Sequence, residues 1–189
     1  MTALFAQYPF NFILGCSNLK EFRYEWIWKK NTVTGFLNAN RQPLKVHEDI
    51  LIFCDKGAPY NPQVKFRSPT VTGGSTLSTN YNKNDGLKHI TTFWHPRDVI
   101  EFDCNTDEKS HPTQKPVGLC EYLIRTYTDE GMTVLDNCMG SGTTGVAAIR
   151  TGRNFIGIEK DPEYYSKAVE RIGMAEYTVK TRTTLEDFS

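Results

Sequence analysis

Two prolines in succession occur nowhere in this chain of 189 residues: none of its nine prolines, at 9, 43, 59, 62, 69, 96, 112, 116 and 162, is followed by another. A C-x-x-C pair is also missing. The five cysteines, Cys16, Cys54, Cys104, Cys120 and Cys138, are scattered and odd in number, which excludes a spelled zinc site and reads as reduced thiols in a cytoplasm. Charge of either sign is not in surplus, since Lys plus Arg and Asp plus Glu both number 22. Net charge therefore gives no argument for a nucleic acid, and such a partner must be met by a local basic face. Long apolar runs are missing too, and the opening "TALFAQYPF" has no basic flank, so neither a membrane span nor a signal peptide is expected. No Gly-Lys-Ser or Gly-Lys-Thr is present, which excludes a lysine-bearing phosphate loop. Hydrophobic residues at 39% and charged residues at 23% are ordinary for a globular chain, and the length predicts one domain with at most an insert.

What is present falls into three zones. In the first, "TALFA" (2–6) reads as a strand fragment, and "FRYEWIWKKN" (22–31) spaces Phe22, Tyr24, Trp26 and Trp28 at period two, the spacing of a strand with one aromatic face. These aromatics read first as core. "EDILIFC" (48–54) is an uninterrupted run expected for a strand buried on both sides, with His47-Glu48 as its cap. The second zone, 56–110, is polar and turn-rich, with the composition of loop. The third is regular. "HPTQKPVGLCEYLIRTYT" (111–128) puts Val117, Cys120, Leu123, Ile124 and Tyr127 on one helical face, with Thr113 as N-cap. A strand over 132–136, a helix over 142–151, a strand over 154–159 and a helix over 162–172 follow, and this alternation argues a parallel sheet.

The densest signal is "VLDNCMGSGTTGVAAIRTGRNFIGIEKDPEYY" (134–165). Gly140, Gly142 and Gly145 fit G-x-G-x-x-G, after a strand and at the opening of a helix, the context that gives this pattern meaning. Glu159 ends the next strand roughly 20 residues past Asp136, the position of an acid that grips a ribose hydroxyl pair. Asp136, directly before the turn, would repel a pyrophosphate and attract an ammonium or sulfonium, which favours S-adenosylmethionine over NAD. The bland alternatives are a turn that only packs closely, a solvated Glu159, and Cys138 as a small wall residue. Only about thirty residues follow Glu159, fewer than the remaining strands need, so 2–6, 22–30 and 48–54 are expected to complete the sheet in a permuted order.

That order, with these words, resembles the bacterial and phage amino-group DNA methyltransferases of the permuted, beta-type class. "HPTQKPVGLCEYLIRTYT", "TVLDNCMGSGTTGVAA" and "GRNFIGIEKDPEYYSKAVERI" are similar to their cofactor half, and "SNLKEFRYEWIWKKN" with "PLKVHEDILIF" to the strands before their target-recognition region. The resemblance implies a Rossmann-like α/β methyltransferase fold with permuted strands, truncated at its N-terminal side. Its parts would be 1–55 of the sheet, a target-recognition insert at 56–110, a cofactor-binding part at 111–175 and a polar tail at 176–189. It implies that Asp136, Cys138, Gly140, Ser141, Gly142 and Thr143 line the cofactor. Glu159 would hold its ribose, Lys160 would also belong to the cofactor site, and Thr113, Gln114, Lys115 and Pro116 would close over it. The reaction would be methyl transfer from S-adenosylmethionine to adenine N6, or as second choice cytosine N4, on double-stranded DNA, with no metal.

Two departures follow. Asn137 and Cys138 replace the family's Pro-Phe before the glycines, weakening an apolar lid. The Asp/Asn/Ser-Pro-Pro-aromatic tetrapeptide is missing outright, so no catalytic residue is assigned and the chain alone is expected to be inactive, awaiting a second polypeptide or self-association. Lys29, Lys30, Arg41 and Lys45 are the expected phosphate contacts. A non-catalytic remnant that binds cofactor or DNA is the second reading, and an NAD-binding oxidoreductase module the third. A cytoplasmic location is expected.

Overall fold

The computed structural model describes residues 1–73, 88–104 and 114–186. The chain divides into two compact units, Met1–Asn61 with Asp98–Ser189, and Pro62–Arg97.

In the larger unit, β1 (Thr2–Ala6) leads into the helix α1 (Phe10–Ser17), then β2 (Phe22–Thr34) and β3 (Lys45–Phe53). β3 lies between β1 and β2 and runs antiparallel to both, with Ile50 opposite Phe5 on one side and Trp26 on the other. Every residue of β3 from Glu48 to Phe53 is buried. Its alternate side chains feed two cores: Leu51 and Phe53 meet Ala6, Leu14 and Phe22, while Ile50 and Ile52 meet Trp26, Trp28 and the helix α2 described below. A strand covered on both faces needs no polar alternation, which is why "DILIF" is continuous.

The smaller unit is the antiparallel pair β4 (Lys65–Gly73) and β5 (Lys88–Trp94). The polar composition that suggested loop is compatible with a strand pair that carries Thr70, Val71, Thr72, Ile90, Thr91 and Thr92, β-branched residues that suit a pleated surface. β6 (Val99–Glu101) belongs to the larger unit and runs parallel to β2, so the separate unit is narrower than the expected insert of 56–110.

α2 (Val117–Tyr127) opens at Pro116, whose extended backbone (ψ 135°) serves as N-cap; the expected cap, Thr113, lies outside the described residues. Leu119, Leu123 and Tyr127 pack on the four-stranded sheet, and Cys120 and Ile124 pack on Ala147 and Ala148 of α3 (Thr143–Arg150). Either side of α3 in sequence stand the parallel strands β7 (Thr133–Asp136) and β8 (Asn154–Gly157), with Asp136 opposite Gly157. α4 (Pro162–Glu186) continues through most of the stretch expected to be a polar tail, because polar residues such as Glu, Lys and Arg are good helix formers.

The sheet is not continuous as expected. Among the described residues β1 pairs only with β3 and β7 only with β8, so each sheet has an open edge and α2 is packed against both.

Candidate active site

The turn between β7 and α3 is built by glycines for two reasons. Gly142, with φ 79°, stands where a side chain is strained, and a Cβ there would lie 2.9 Å from that of Ala168 on α4. Gly145 lets α3 approach Phe155 and Ile172, where a Cβ would come within 2.7 Å of the Phe155 ring. The third position is open: nothing lies within 4 Å of a Cβ built on Gly140.

Two carboxylates flank that opening. Asp136 accepts a hydrogen bond from the Cys138 amide at 3.1 Å and from the Thr144 hydroxyl at 2.7 Å, which fixes its side chain at the end of β7. Glu159 accepts from the Gly140 amide at 2.9 Å and from the Asp161 amide at 3.0 Å. The Asp161 and Gly140 amides hold its carboxyl below the ordinary carboxylate range. The strand-end acid and the turn, distant in sequence, are thus directly bonded. Cys138 is exposed at the same opening, and burial followed by the Asp136 charge raises its thiol, which is unfavourable for a thiolate nucleophile. Lys160 is exposed beside it.

Ser141 and Thr143 face inward. Both are buried, and Arg171 of α4 donates to the Ser141 carbonyl at 2.6 Å and its hydroxyl at 3.0 Å. Arg171 escaped the sequence reading because an arginine on a polar helix carries no mark of its partner thirty residues earlier. The Ser141 hydroxyl also lies 3.3 Å from Gln114 Oε1, so the segment before α2 reaches the glycine turn.

Its neighbour Lys115 turns elsewhere. The ammonium is 2.7 Å from Glu48 of β3, whose carboxylate also takes Lys30 of β2 and, at 3.0 Å, the Gln7 amide. Glu48 is 7% exposed. Burial alone would raise its carboxyl, and the hydrogen bonds and charges of Lys115 and Lys30 outweigh this, leaving it below the ordinary range. His47-Glu48 is therefore more than a strand cap. Lys30, expected to meet phosphate, has a side chain only 12% exposed and held by Glu48. Lys29 pairs with Glu101 at 2.7 Å on the surface, Lys45 donates to the Tyr8 carbonyl at 3.3 Å, and Arg41 is exposed.

Asn61 donates to the Thr128 carbonyl and to Asp129 beyond the C-terminal end of α2, at the opposite end of that helix from Lys115. In the smaller unit, the Arg67 guanidinium stacks 3.9 Å from the Trp94 ring centroid with Arg97 at 5.8 Å, and Phe66 is 85% exposed. Sequence reading singled out none of Arg67, Trp94, Arg97 and Phe66.

A glycine turn at the end of a parallel strand, flanked by two acids, defines an α/β protein built to hold a nucleoside-type cofactor. Residues 6–170 match the family model described as DNA methylase, of the N6/N4 type, and the chain belongs to that family. It is 32% identical over 126 residues to the type II methyltransferase M.BglI of Bacillus subtilis and 53% identical over 62 residues to M2.DpnII of Streptococcus pneumoniae. Those matches cover 56% and 33% of this chain, and 36% and 23% of the relatives. The fold is shared with M1.HpyAVI, solved with SAM (TM-score 0.61, 26% identity, 90% of this chain and 72% of that one). It is shared also with the cytosine-N4-specific PvuII DNA methyltransferase (TM-score 0.62, 20% identity, 88% and 57%).

Proposed function

We propose that this chain carries the cofactor-binding and target-recognition parts of a DNA methyltransferase that moves a methyl group from S-adenosylmethionine to an exocyclic base amine, adenine N6 before cytosine N4. The observation that carries it is the pair Asp136 and Glu159 on either side of Gly140. Two carboxylates at this opening suit an ammonium, a sulfonium and a ribose hydroxyl pair, and disfavour the pyrophosphate of NAD. When bound, S-adenosylmethionine supplies an electrophilic methyl group on a sulfonium. The protein orients: Asp136 is held by Thr144 and the Cys138 amide, and Glu159 by the Gly140 and Asp161 amides. Lys160 and Pro116 complete the proposed wall with Gln114, while Lys115 is held by Glu48 away from it, and Ser141, Gly142 and Thr143 support it from beneath.

The acceptor amine needs hydrogen-bond acceptors that steer its lone pair toward the methyl group, a preorganised polar setting typically worth ~10²–10³ in rate. Residues 1–189 have no Asx-Pro-Pro-aromatic segment, and "YNPQ" (60–63) has its Asn61 amide engaged at the far end of α2. We therefore assign the acceptor to a segment outside residues 1–189, docked on an open sheet edge. Unpaired edges bind strands. Double-stranded DNA is the proposed substrate, with Arg67, Arg97 and Arg41 as candidate phosphate contacts beside Lys29.

A methyl-transfer assay with tritiated cofactor on duplex DNA, followed by separation of N6-methyladenine from N4-methylcytosine, tests this reading. Background transfer by residues 1–189 alone is expected, with recovery when a segment bearing the tetrapeptide is added. Robust transfer without it would show that another group holds the amine.

A further inference from the structure

The stretch "YNPQ" (60–63) spans the point where the chain passes from the larger unit to the smaller one, after Asn61. The return at Asp98 is held by a ladder: the Ile27 amide donates to the Asp98 carbonyl at 2.8 Å, and β6 then pairs with β2. The outward passage has no ladder, since residues 54–60 between β3 and Asn61 form neither helix nor strand. It is held instead by side chains at the C-terminal end of α2. The Asn61 backbone amide donates to the Thr126 carbonyl at 2.7 Å, and its side-chain amide donates to the Thr128 carbonyl at 3.2 Å and to Asp129 Oδ1 at 2.9 Å. The Tyr60 ring lies 6.3 Å, between centroids, from that of Tyr127, whose hydroxyl is itself bonded to Trp26 and Tyr24. Pro62 stiffens the stem further, because a proline fixes its own φ and disfavours helical backbone in the residue before it.

These bonds divide by what surrounds their acceptors. A helix leaves its last carbonyls without partners of its own. Thr126 is fully buried, so its carbonyl needs a donor from the protein, and the Asn61 backbone amide supplies one. Any residue but proline would do the same. Thr128 is only half-buried and Asp129 is exposed, and the Thr128 carbonyl already accepts from Arg153 at 2.7 Å. Bonds to acceptors that water also reaches add little net stability. The Asn61 side chain is therefore weak as a cap and strong as a guide: an amide with two N–H groups on two acceptors fixes how the residue is turned, whereas serine has one donor and aspartate none. The 11 residues of α2, about 16 Å at 1.5 Å per residue, then separate this grip from the contact of Gln114 with Ser141 at the glycine turn.

We infer that Asn61 is a positioning residue for target recognition: it sets the point and direction at which the chain leaves the larger unit, at a fixed distance from the cofactor turn. The inference rests on the proposed role of residues 62–97 in recognising DNA and adds the residue that anchors their stem. A stem that turns freely has to be ordered each time the right duplex binds, and that cost falls on specific binding alone. Asn61 thus contributes to discrimination between duplexes and little to affinity for duplex in general, which phosphate contacts supply.

Selection by the full chain from a library of randomised duplexes, in saturating S-adenosylhomocysteine, followed by titration of the selected and an unselected duplex, reads discrimination directly. The wild-type chain is expected to prefer its selected duplex. Asn61→Asp keeps the shape of the side chain but sets a carboxylate against Asp129 and the Thr128 carbonyl. It should lose about tenfold of the preference, the backbone cost of ordering a freed residue again. Affinity for the unselected duplex and for S-adenosylhomocysteine should stay unchanged, and the melting temperature should fall only slightly. Asp129→Asn in the same chain gives the new carboxylate a donor and should restore most of the preference. Full preference in Asn61→Asp overturns the inference, as does a preference that Asp129→Asn does not restore. Joint loss of preference, S-adenosylhomocysteine affinity and melting temperature also overturns it, because that pattern marks an ordinary helix cap. A wild-type chain that binds S-adenosylhomocysteine but prefers no duplex overturns the recognition role of residues 62–97 and the inference with it. Failure of the wild-type chain to bind S-adenosylhomocysteine overturns the methyl-transfer reading on which both stand.

Discussion

The glycine turn and the Glu48 cluster hold carboxylates in opposite ways. At the turn, Asp136 and Glu159 are partly exposed and are oriented by neutral donors, amides and one hydroxyl, so their charge remains available to a ligand. At the cluster, Glu48 is enclosed and satisfied by two ammoniums, so its charge is consumed within the fold. The same residue type is thus left open to a ligand in one place and spent as a counter-ion to two ammoniums in the other. Exposure and the identity of the donors separate the two roles.

Substitutions can sharpen or break this contrast. The largest effect is expected for Glu48→Ala, which strands Lys30 and Lys115 together in a largely enclosed site and should cost about 3 kcal/mol in urea unfolding. A cost below about 1 kcal/mol would place the cluster with ordinary surface pairs. The same carboxyl gives a pH test. Its folded value lies below the ordinary 4.5, so its contribution is present above the unfolded value and is lost as pH falls through the lower folded one. Wild-type stability should decline over that acid window, and Glu48→Gln should flatten its share of the decline.

Gly145→Val should follow in size. Overpacking against Phe155 and Ile172 should cost about 1–3 kcal/mol and weaken cofactor binding with it. An unchanged melting temperature would mean that α3 does not approach α4 so closely. Glu159→Ala, by contrast, should weaken S-adenosylmethionine about tenfold while leaving the melting temperature nearly unmoved, since on the proposed reading it removes charge-assisted bonds to the ligand. Equal losses of stability and affinity would make it a second structural acid. The smallest effect concerns DNA. Arg67→Ala should lower the salt slope of duplex binding by about one, whereas Lys30→Met should leave it unaltered because that ammonium already has its counter-ion. A slope that drops with Lys30→Met would show that the Glu48 pair opens on DNA.

Legibility in the sequence followed distance along the chain. The glycine turn was readable because Asp136, Gly140, Gly142 and Gly145 are close neighbours whose spacing has a direct backbone meaning, and the continuous run of β3 announced its two covered faces. The Glu48 cluster was not, since its partners lie 18, 41 and 67 residues away and a pair of acids before an apolar run looks like a cap. α1 was missed because "FNFILGCS" is apolar on nearly every side and offers no period; Phe10, Phe12 and Ile13 remain exposed. The sequence led to one completed sheet, and the split that leaves open edges on β1 and β7 among the described residues depends on pairings no local pattern encodes.

α2 carries a consequence for the order in which the larger unit opens. With no ladder joining the two sheets among the described residues, their cohesion passes through the packed flanks of this one helix, through Arg153, which reaches Thr128 just past its end, and through Gln114, which meets Ser141 just before its start. Either core can therefore loosen while the other still holds α2, but α2 is released only when both have opened. In hydrogen exchange, the amides of Leu119 to Tyr127 should be the slowest of the unit, exchanging only through its global unfolding, while β7 and β8 exchange through smaller openings. A helix of eleven residues, too short to persist alone in water, becomes the last element to let go because both halves must release it first.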